Sequence, residues 1–195
     1  MIISPKYRRR LVIMVKEPRA GRVKTRLGRS IGMTAAAWWF RHQSRQLIRR
    51  LIDPRWDLIL SVSPDHQGIK SRFWPSNIAR IPQGHGCLGD RMKSIFKFLP
   101  PGPVCIIGAD ILKVDVNEIW AAFRSLGTHQ ATLGPAQDGG YWLIGLKRSK
   151  AVSSQIFESV RWSSKSALED TVASMPDLTI SYVSTLRDVD DINDL

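Results

Sequence analysis

The stretch LVIMV, Leu11 to Val15, runs directly into the basic segment KEPRAGRVKTRL, Lys16 to Leu27. A short apolar run bounded by turn residues is typical of a buried strand in an α/β sheet. In open α/β sheets, ligands bind beyond the carboxyl ends of such strands. We therefore expect the basic segment to lie at a ligand-binding edge of the sheet.

The basic segment has the charge and the flexibility that a diphosphate or triphosphate site needs. Gly21 lets its backbone turn sharply. Alternate cations would share one side of the segment if it were extended. A solvated surface loop is the alternative, and a Walker A loop is excluded because no glycine precedes Lys24-Thr25. The cations of the segment are Lys16, Arg19, Arg22, Lys24 and Arg26.

Composition limits the class of protein. The chain has 195 residues, is 43% hydrophobic and carries a formal net charge of +12. This length suits a single domain over residues 1–195, and residues 1–9 are expected to be a basic, poorly ordered tail. The 2 cysteines and 4 histidines show no paired spacing, which excludes a disulfide scaffold and a zinc knuckle. A reducing, cytoplasmic location is expected.

The excess of positive charge leaves several partners open. It is compatible with nucleic acid, with a membrane surface or with an anionic small substrate. No apolar run approaches the roughly 20 residues of a membrane span. Arg41, Arg45 and Arg49 form one stripe on a predicted helix. A solvated helix face is the favoured interpretation of that stripe, so nucleic acid is not the expected partner.

Short apolar runs alternate with amphipathic segments along the chain. Alternation of this kind predicts an α/β fold with a mostly parallel sheet and helices on both faces. The predicted strands are 11–15, 57–62, 79–82, 104–108, 130–133, 141–146 and 178–183. The predicted helices are 33–52, 88–98, 115–126 and 164–174.

Two aspartates follow predicted strands. Asp110 comes just after the run VCIIG, 104–108. Mg²⁺ is commonly held by one or two carboxylates together with substrate phosphates, so Asp110 is a candidate ligand, with a turn or helix-capping role as the alternative. Asp138 stands before Gly139 and Gly140. It is a candidate metal ligand, base or acceptor-orienting group, and a tight hairpin turn is the alternative.

A third motif has two interpretations. Gly84, Gly86 and Gly89 match Gly-x-Gly-x-x-Gly, and Asp110 follows at about the distance of a ribose-binding acid. A dinucleotide-binding fold is therefore an alternative. It is disfavoured because the preceding run, 79–82, is short, contains a cation and ends in proline, and because two predicted strands come before it.

Taken together and in order, these segments resemble a family of small bacterial glycosyltransferase-like proteins in the nucleotide-diphospho-sugar transferase superfamily. Some members are arsenosugar-biosynthesis-type glycosyltransferases, and cofactor guanylyltransferases are related. The chain departs from the family pattern at Ile111-Leu112, where Cys-Pro is usual, and at Gln137, where an acid or threonine is frequent. The resemblance rests on the segments 16–27, 83–92, 107–110, 133–141, 162–163 and 186–190.

The resemblance implies a three-layer α/β/α, GT-A-like fold and a metal-dependent transferase. The expected donor is a nucleotide-diphospho-sugar, the acceptor a small molecule, and the cofactor Mg²⁺ or Mn²⁺. One alternative is a nucleotidyltransferase that uses a nucleoside triphosphate and releases pyrophosphate. Another is a non-catalytic protein that binds nucleotides or nucleic acid.

Each motif then receives an expected role. The catalytic residues would be Lys24, Asp110 and Asp138, with Asp110 as the metal ligand. The acceptor site would comprise Asp138, Gly139 and Gly140. The nucleotide would be bound by Gly21, Arg22, Lys24, Arg26, Gly84, Gly86, Gly89 and Arg91.

Overall fold

The computed structural model describes residues 7–111 and 114–186. Within those ranges the strands form one seven-stranded sheet in the order β3-β2-β1-β4-β6-β5-β7. The strands are β1 (Arg10–Lys16), β2 (Asp57–Ser63), β3 (Ala79–Pro82), β4 (Val104–Gly108), β5 (Ala131–Pro135), β6 (Tyr141–Leu146) and β7 (Ile180–Tyr182). The helices are α1 (Thr25–Ile31), α2 (Met33–Arg50), α3 (Asp65–Lys70), α4 (Leu88–Phe98), α5 (Val116–Ser125) and α6 (Ala167–Ala173).

The sheet is mostly parallel, as the sequence predicts. β1 pairs in parallel with both β2 and β4, β2 pairs in parallel with β3, and β5 pairs in parallel with β7. β6 is antiparallel to its two neighbours, β4 and β5. The start of β6 therefore lies beside the end of β4, and the turn between β5 and β6 reaches the same edge of the sheet as the loop after β1.

The core has two halves, one on each face of the sheet. Side chains of β1 alternate between them, because successive residues of a strand point to opposite faces. Leu11 and Ile13 pack in the half that also contains α2 and α5. Val12 packs in the half that contains α4, and α6 lies against the same half. The predicted three-layer α/β/α architecture is confirmed.

The structure contains two short helices that the sequence pattern did not predict, α1 and α3. α1 begins within the segment that was interpreted as a loop and continues beyond it to Ile31, and its seven residues include Gly28. Gly28 is buried where a Cβ atom would lie 2.6 Å from the sulfur of Met33. Close packing against α2 thus holds α1 in place. The local sequence pattern does not indicate this contact.

The first described residues of the chain contact the rest of the domain. Tyr7 donates its backbone N–H to Pro101 O at 3.2 Å, and Arg8 Nε lies 3.0 Å from Asp57 Oδ1. Residues 1–6 of the predicted tail lie outside the described residues. In the part of the chain that the structure describes, no helix is long and apolar enough to cross a membrane.

Candidate functional site

A cavity of about 750 Å³ opens where β1 and β4 end. Its walls come from the ends of these strands, the basic segment, the start of α4 and the start of β6. Asp110 is the one carboxylate among the described residues that line it. Five cations face it, so the cavity is strongly positive and suits a polyanionic ligand. These cations are Lys16, Arg22, Lys24, Arg26 and Arg91.

The basic segment reaches the cavity with a geometry that differs from the expected one. Arg22, Lys24 and Arg26 all line the cavity, but the segment is not extended. Lys24 has left-handed backbone angles, φ 45° and ψ 49°, and α1 begins at the next residue. The turn at 19–22 and the first turn of α1, rather than strand alternation, bring the three cations to one side.

Gly21 has a conformational role in this turn. Its φ of 73° lies in the left-handed region that favours glycine, while nothing lies within 4 Å of where a Cβ atom would stand. Gly21 is not among the residues that line the cavity. Gly21 therefore shapes the turn that carries the cations and does not itself face the cavity.

Lys24 and Asp110 form an ion pair across the cavity. Lys24 Nζ lies 3.1 Å from Asp110 Oδ2, and the two side chains are 8% and 37% exposed. The pair joins the segment after β1 to the segment after β4, 86 residues further along the chain. Gly108 makes room for the carboxylate, because a Cβ atom there would lie 2.7 Å from Asp110 Oδ1.

Gln83 and Arg91 form a second part of the site. Gln83 is 4% exposed, and its Nε2 donates to Val15 O at 3.0 Å and to Ser61 O at 2.9 Å. Its Oε1 accepts from Arg91 Nη1 at 3.4 Å, and Arg91 Nε donates to Gly86 O at 3.2 Å. Gln83 thus ties the ends of β1 and β2 to the guanidinium that lines the cavity.

Gln83 is the first residue of the segment 83–92, on which the family resemblance partly rests, but no role was predicted for it. The only local signal is a lone amide side chain between the end of β3 and the first glycine of the motif. Lys16 was likewise counted among the cations but not among the expected site residues. It lines the cavity as the last residue of β1.

Replacing Gln83 by alanine is expected to lower the free energy of unfolding by about 1 to 3 kcal/mol, because two buried carbonyls each lose one hydrogen bond. Urea unfolding would measure this loss. Gln67 is an exposed glutamine in α3, and its alanine variant is expected to change stability by less than about 0.5 kcal/mol. Equal unfolding midpoints for the two variants would contradict the bridging role.

The three glycines of the second motif have different environments. Gly86 lines the cavity, and a Cβ atom there would meet the Asp90 side chain that caps α4. Gly89 is buried against Phe157 and Trp162, each 2.8 Å from where its Cβ would be. Gly84 and Gly89 are not among the residues lining the cavity. β3, which precedes these glycines, is an edge strand, unlike the buried first strand that a dinucleotide fold requires.

Asp138 lies in the turn between β5 and β6. Asp138 Oδ1 accepts the backbone N–H of Gly140 at 2.9 Å, and Ala136 exchanges backbone hydrogen bonds with Gly139 and Gly140. Gly139 has φ 88° and is so close to the backbone of Lys165 that a Cβ atom would collide with it. None of Asp138, Gly139 and Gly140 lines the cavity, whose lining continues from Tyr141.

Tyr141 and Trp142 form the wall next to this turn. Trp142 is 3% exposed, and its indole N–H donates to Ser184 O at 2.9 Å, so it belongs to the core. Burial raises the pKa of the Tyr141 hydroxyl, which accepts from the Thr171 hydroxyl at 3.4 Å. Behind Tyr141 stands Trp162, edge to face with ring centroids 6.5 Å apart.

A bidentate ion pair fixes the segment that carries Trp162. Arg161 Nε and Nη2 donate to the two oxygens of Asp170 at 2.9 Å each, and the Arg161 backbone N–H adds a third bond at 2.9 Å. Together these hydrogen bonds lower the pKa of Asp170 to about 2. The salt bridge anchors the loop behind the aromatic wall to α6.

Protonation of Asp170 is expected to release this anchor in acid. A free aspartate has a pKa of about 3.9. Because the folded-state pKa is depressed to about 2, the stabilisation is complete above about pH 4 and is lost as the pH falls towards 2. In Arg161→Ala the Asp170 carboxyl should titrate near its ordinary value, and carbon-detected NMR would measure it. If the pKa of Asp170 were unchanged in Arg161→Ala, or rose equally in Arg124→Ala on α5, Arg161 would not be the cause of the depressed pKa.

A protein-family model matches residues 47–164, more than half of the chain. The family is DUF2064, described as an uncharacterized protein conserved in bacteria. The chain belongs to this family. No curated protein matches its sequence.

Solved structures share the fold of this DUF2064 protein. A protein of Desulfovibrio desulfuricans G20, described as a candidate nucleotide-diphospho-sugar transferase, superposes with a TM-score of 0.83 at 28% identity, covering 95% of this chain and 83% of its own. A 4-diphosphocytidyl-2C-methyl-D-erythritol synthase from Anaerococcus prevotii DSM 20548 gives 0.57 at 10% identity over 97% and 94% of the chains. Rv0371c of Mycobacterium tuberculosis H37Rv, crystallised with manganese, gives 0.55 at 14% over 97% and 96%.

The last two similarities concern the fold alone. The predictions of the superfamily, of its fold and of a transferase-like enzyme are confirmed. Within 7–111 and 114–186, no three His, Cys, Asp or Glu side chains form a group that could hold a metal ion. Asp188 and Asp190 of the closing motif lie outside the described residues.

Proposed function

We propose that this DUF2064 protein transfers a glycosyl group from a nucleotide-diphospho-sugar to a small acceptor, with Mg²⁺ or Mn²⁺. The observation that carries the proposal is the cavity at the ends of β1 and β4, where the described lining has five cations and one carboxylate. Its volume of about 750 Å³ lies in the range of small-molecule sites. The similarity to the Desulfovibrio protein supports a nucleotide sugar as the donor.

The cations would bind the diphosphate. Arg22, Lys24 and Arg26 approach from the side of β1, and Arg91 approaches from α4, where Gln83 and Gly86 hold its guanidinium. Negative charge grows on the diphosphate as the bond to the sugar breaks. Fixed cations stabilise that charge without reorganising during the reaction, which is the largest contribution that such a site can make.

Asp110 would be the protein's metal ligand. A single carboxylate fits a Mg²⁺ or Mn²⁺ ion that takes its other ligands from water and from the phosphates. Such an ion supplies Lewis-acid stabilisation of the leaving phosphate. The 37% exposure of the Asp110 side chain leaves it accessible from the cavity, and Lys24 Nζ holds one of its oxygens in place.

The turn between β5 and β6 would face the acceptor. Asp138, Gly139 and Gly140 lie one to three residues before Tyr141, which lines the cavity. In this proposal the Asp138 carboxylate, which is exposed and oriented by Gly140 N–H, binds or deprotonates the acceptor hydroxyl. Its place outside the lining means that the acceptor would bind over the rim.

Nucleotidyl transfer is the second candidate. Five cations against one carboxylate give the described lining an excess of four positive charges, which matches a triphosphate at least as well as a diphosphate. Gly21, Gly84 and Gly89, away from the lining, would shape the loops that carry these cations under either reaction.

A thermal-shift screen tests both candidates. The purified protein would be heated with nucleoside triphosphates and with UDP-, GDP- and dTDP-sugars, each with and without Mn²⁺. A ligand at 100 times its Kd stabilises by about 2.7 kcal/mol. A Mn²⁺-dependent shift with one nucleotide sugar supports glycosyl transfer, and a shift with a triphosphate alone supports nucleotidyl transfer. No shift with any of them contradicts both.

A further inference from the structure

A second basic cavity lies away from the nucleotide site. It has a volume of about 700 Å³ and lies between α2, the segment after α3 and the edge strand β3. We call it the arginine groove. It shares no lining residue with the cavity at β1 and β4. The groove comprises Arg45, Arg49, residues 70–76 and Arg80.

The cations of the groove are not neutralised by carboxylates in the described chain. No Asp or Glu lines the groove, and none of the ion pairs within residues 7–111 and 114–186 involves Arg45, Arg49 or Arg72. A concentration of positive charge without counter-charges raises the potential in a concave surface and attracts an anionic partner.

Aromatic packing holds two of the arginines in fixed positions. The guanidinium carbons of Arg41 and Arg45 each lie 4.6 Å from the ring centroid of Phe73. A guanidinium beside an aromatic ring keeps its charge and its N–H donors, which are the groups that bind phosphate. Restricting the arginines in this way lowers the entropy cost of binding.

Arg80 plays a different part in the groove. Its guanidinium donates to the backbone carbonyls of Ile69, Ser71 and Trp74 at 2.7 to 2.9 Å. Arg80 therefore shapes the segment after α3 rather than facing a ligand. Four other cations of the groove remain to contact a partner, and Arg41 lies next to them beside Phe73. The five are Arg41, Arg45, Arg49, Lys70 and Arg72.

An exposed tryptophan continues the line of arginines. Trp38 is 66% exposed, and the Arg41 guanidinium lies 5.6 Å from its ring centroid. Residues 38, 41, 45 and 49 share one face of α2 because they are three or four positions apart. Successive arginines are displaced by roughly 6 Å along the helix, so the face extends over roughly 16 Å. A linear array of this kind matches a partner with repeating anions better than a single phosphate.

We infer that Trp38 and the arginine groove bind a single-stranded nucleic acid. Its phosphates would contact the five cations, and a base would stack on the Trp38 ring, since charge along a groove combined with exposed aromatic rings is how such strands are bound without sequence preference. The groove is concave and lined by several cations, whereas a helix that lies on a lipid surface needs an exposed apolar face. The arginine stripe alone favoured a solvated helix face, and the structure adds the groove and the exposed ring.

Fluorescence anisotropy of a labelled oligothymidylate of about a dozen nucleotides tests the inference. Five phosphate contacts at a slope of about −0.7 each should weaken binding about 100-fold between 50 and 200 mM salt. In the double variant Arg45→Gln/Arg49→Gln, the weakening between 50 and 200 mM salt should fall to about 20-fold, because two phosphate contacts are lost. The matched pair Lys97→Gln and Arg124→Gln, which removes the same charge from exposed positions on α4 and α5, should leave it unchanged.

The role of Trp38 is tested separately. Trp38→Ala should weaken binding of the oligonucleotide by about 5- to 150-fold, with the salt dependence unchanged. The inference would be overturned if the Arg45/Arg49 and Lys97/Arg124 double variants reduced the salt dependence equally, or if Trp38→Ala did not change oligonucleotide binding. So would tighter binding to phosphatidylglycerol vesicles or to inorganic polyphosphate than to the oligonucleotide. Asp110→Asn should not change oligonucleotide binding, which keeps this result independent of the proposed transferase function.

Discussion

Replacing Asp110 by asparagine should abolish the Mn²⁺-dependent part of donor binding and lower turnover by roughly 10²- to 10³-fold, the cost of removing one such stabilising group from a reaction centre. Asparagine keeps the shape of the side chain but removes the negative charge that would hold the cation beside the phosphates. It also takes the carboxylate away from Lys24 Nζ, 3.1 Å distant. Thermal shifts with and without Mn²⁺, followed by steady-state kinetics with the donor found in the screen, would measure both effects.

Asp177→Asn is a suitable control for this variant. Asp177 is exposed and lies before β7, outside the lining of the cavity at the ends of β1 and β4. Its replacement makes the same change of charge and should leave donor binding and turnover at the level of the unaltered protein. Full Mn²⁺-dependent binding by Asp110→Asn would refute the assignment of Asp110 as the metal ligand.

Replacing Lys24 by alanine should reduce kcat by roughly 10²- to 10³-fold and weaken donor binding. The Lys24 ammonium is positioned beside Asp110 and lines the cavity, so its loss removes fixed positive charge where the diphosphate would leave. Residue 24 has left-handed backbone angles, which disfavour alanine about as much as lysine, so this backbone strain remains in the variant.

Lys24→Asn separates the role of the charge from that of the backbone conformation. Asparagine tolerates left-handed backbone angles better than alanine does, so this variant should be more stable than Lys24→Ala while losing the same activity. Lys97→Ala, at an exposed position in α4, serves as the charge control and should keep full activity. If Lys24→Asn recovered stability and activity together, the role of Lys24 would be to shape the turn.

Much of the fold follows from local patterns in the sequence. The strands β1, β2 and β4 are apolar runs bounded by turn residues, and burial on both faces of a parallel sheet requires that pattern. α1 escaped prediction because Gly28 and two cations obscure its periodicity, and its position depends on contact with Met33. The predicted start at Ser164 is three residues before α6, because the Ser164 hydroxyl bonds to Arg161 O and forms a separate turn.

The candidate site was less predictable than the fold. Residue type and position after a strand are enough to bring Arg22, Lys24, Arg26 and Asp110 to one edge, since parallel strands end there. The direction of a side chain within a turn depends on the sign of φ and on distant packing. For that reason the sequence could not indicate that Gly89 packs against Trp162, or that Gln83 bridges two strands.

The turn between β5 and β6 has a consequence for how this protein can change during evolution. Ala136 exchanges backbone hydrogen bonds with Gly139 and Gly140 inside the turn, and Gly139 is held from outside by its close contact with Lys165 and by the Leu168 N–H, which donates to Gly139 O at 3.1 Å. Gln137 is exposed at its tip, on a hairpin that the parallel strands bearing the cations do not need for their pairing. Substitutions at position 137 can therefore accumulate at little cost in stability, so under the proposed function acceptor preference would change at this tip independently of the cations that bind the donor.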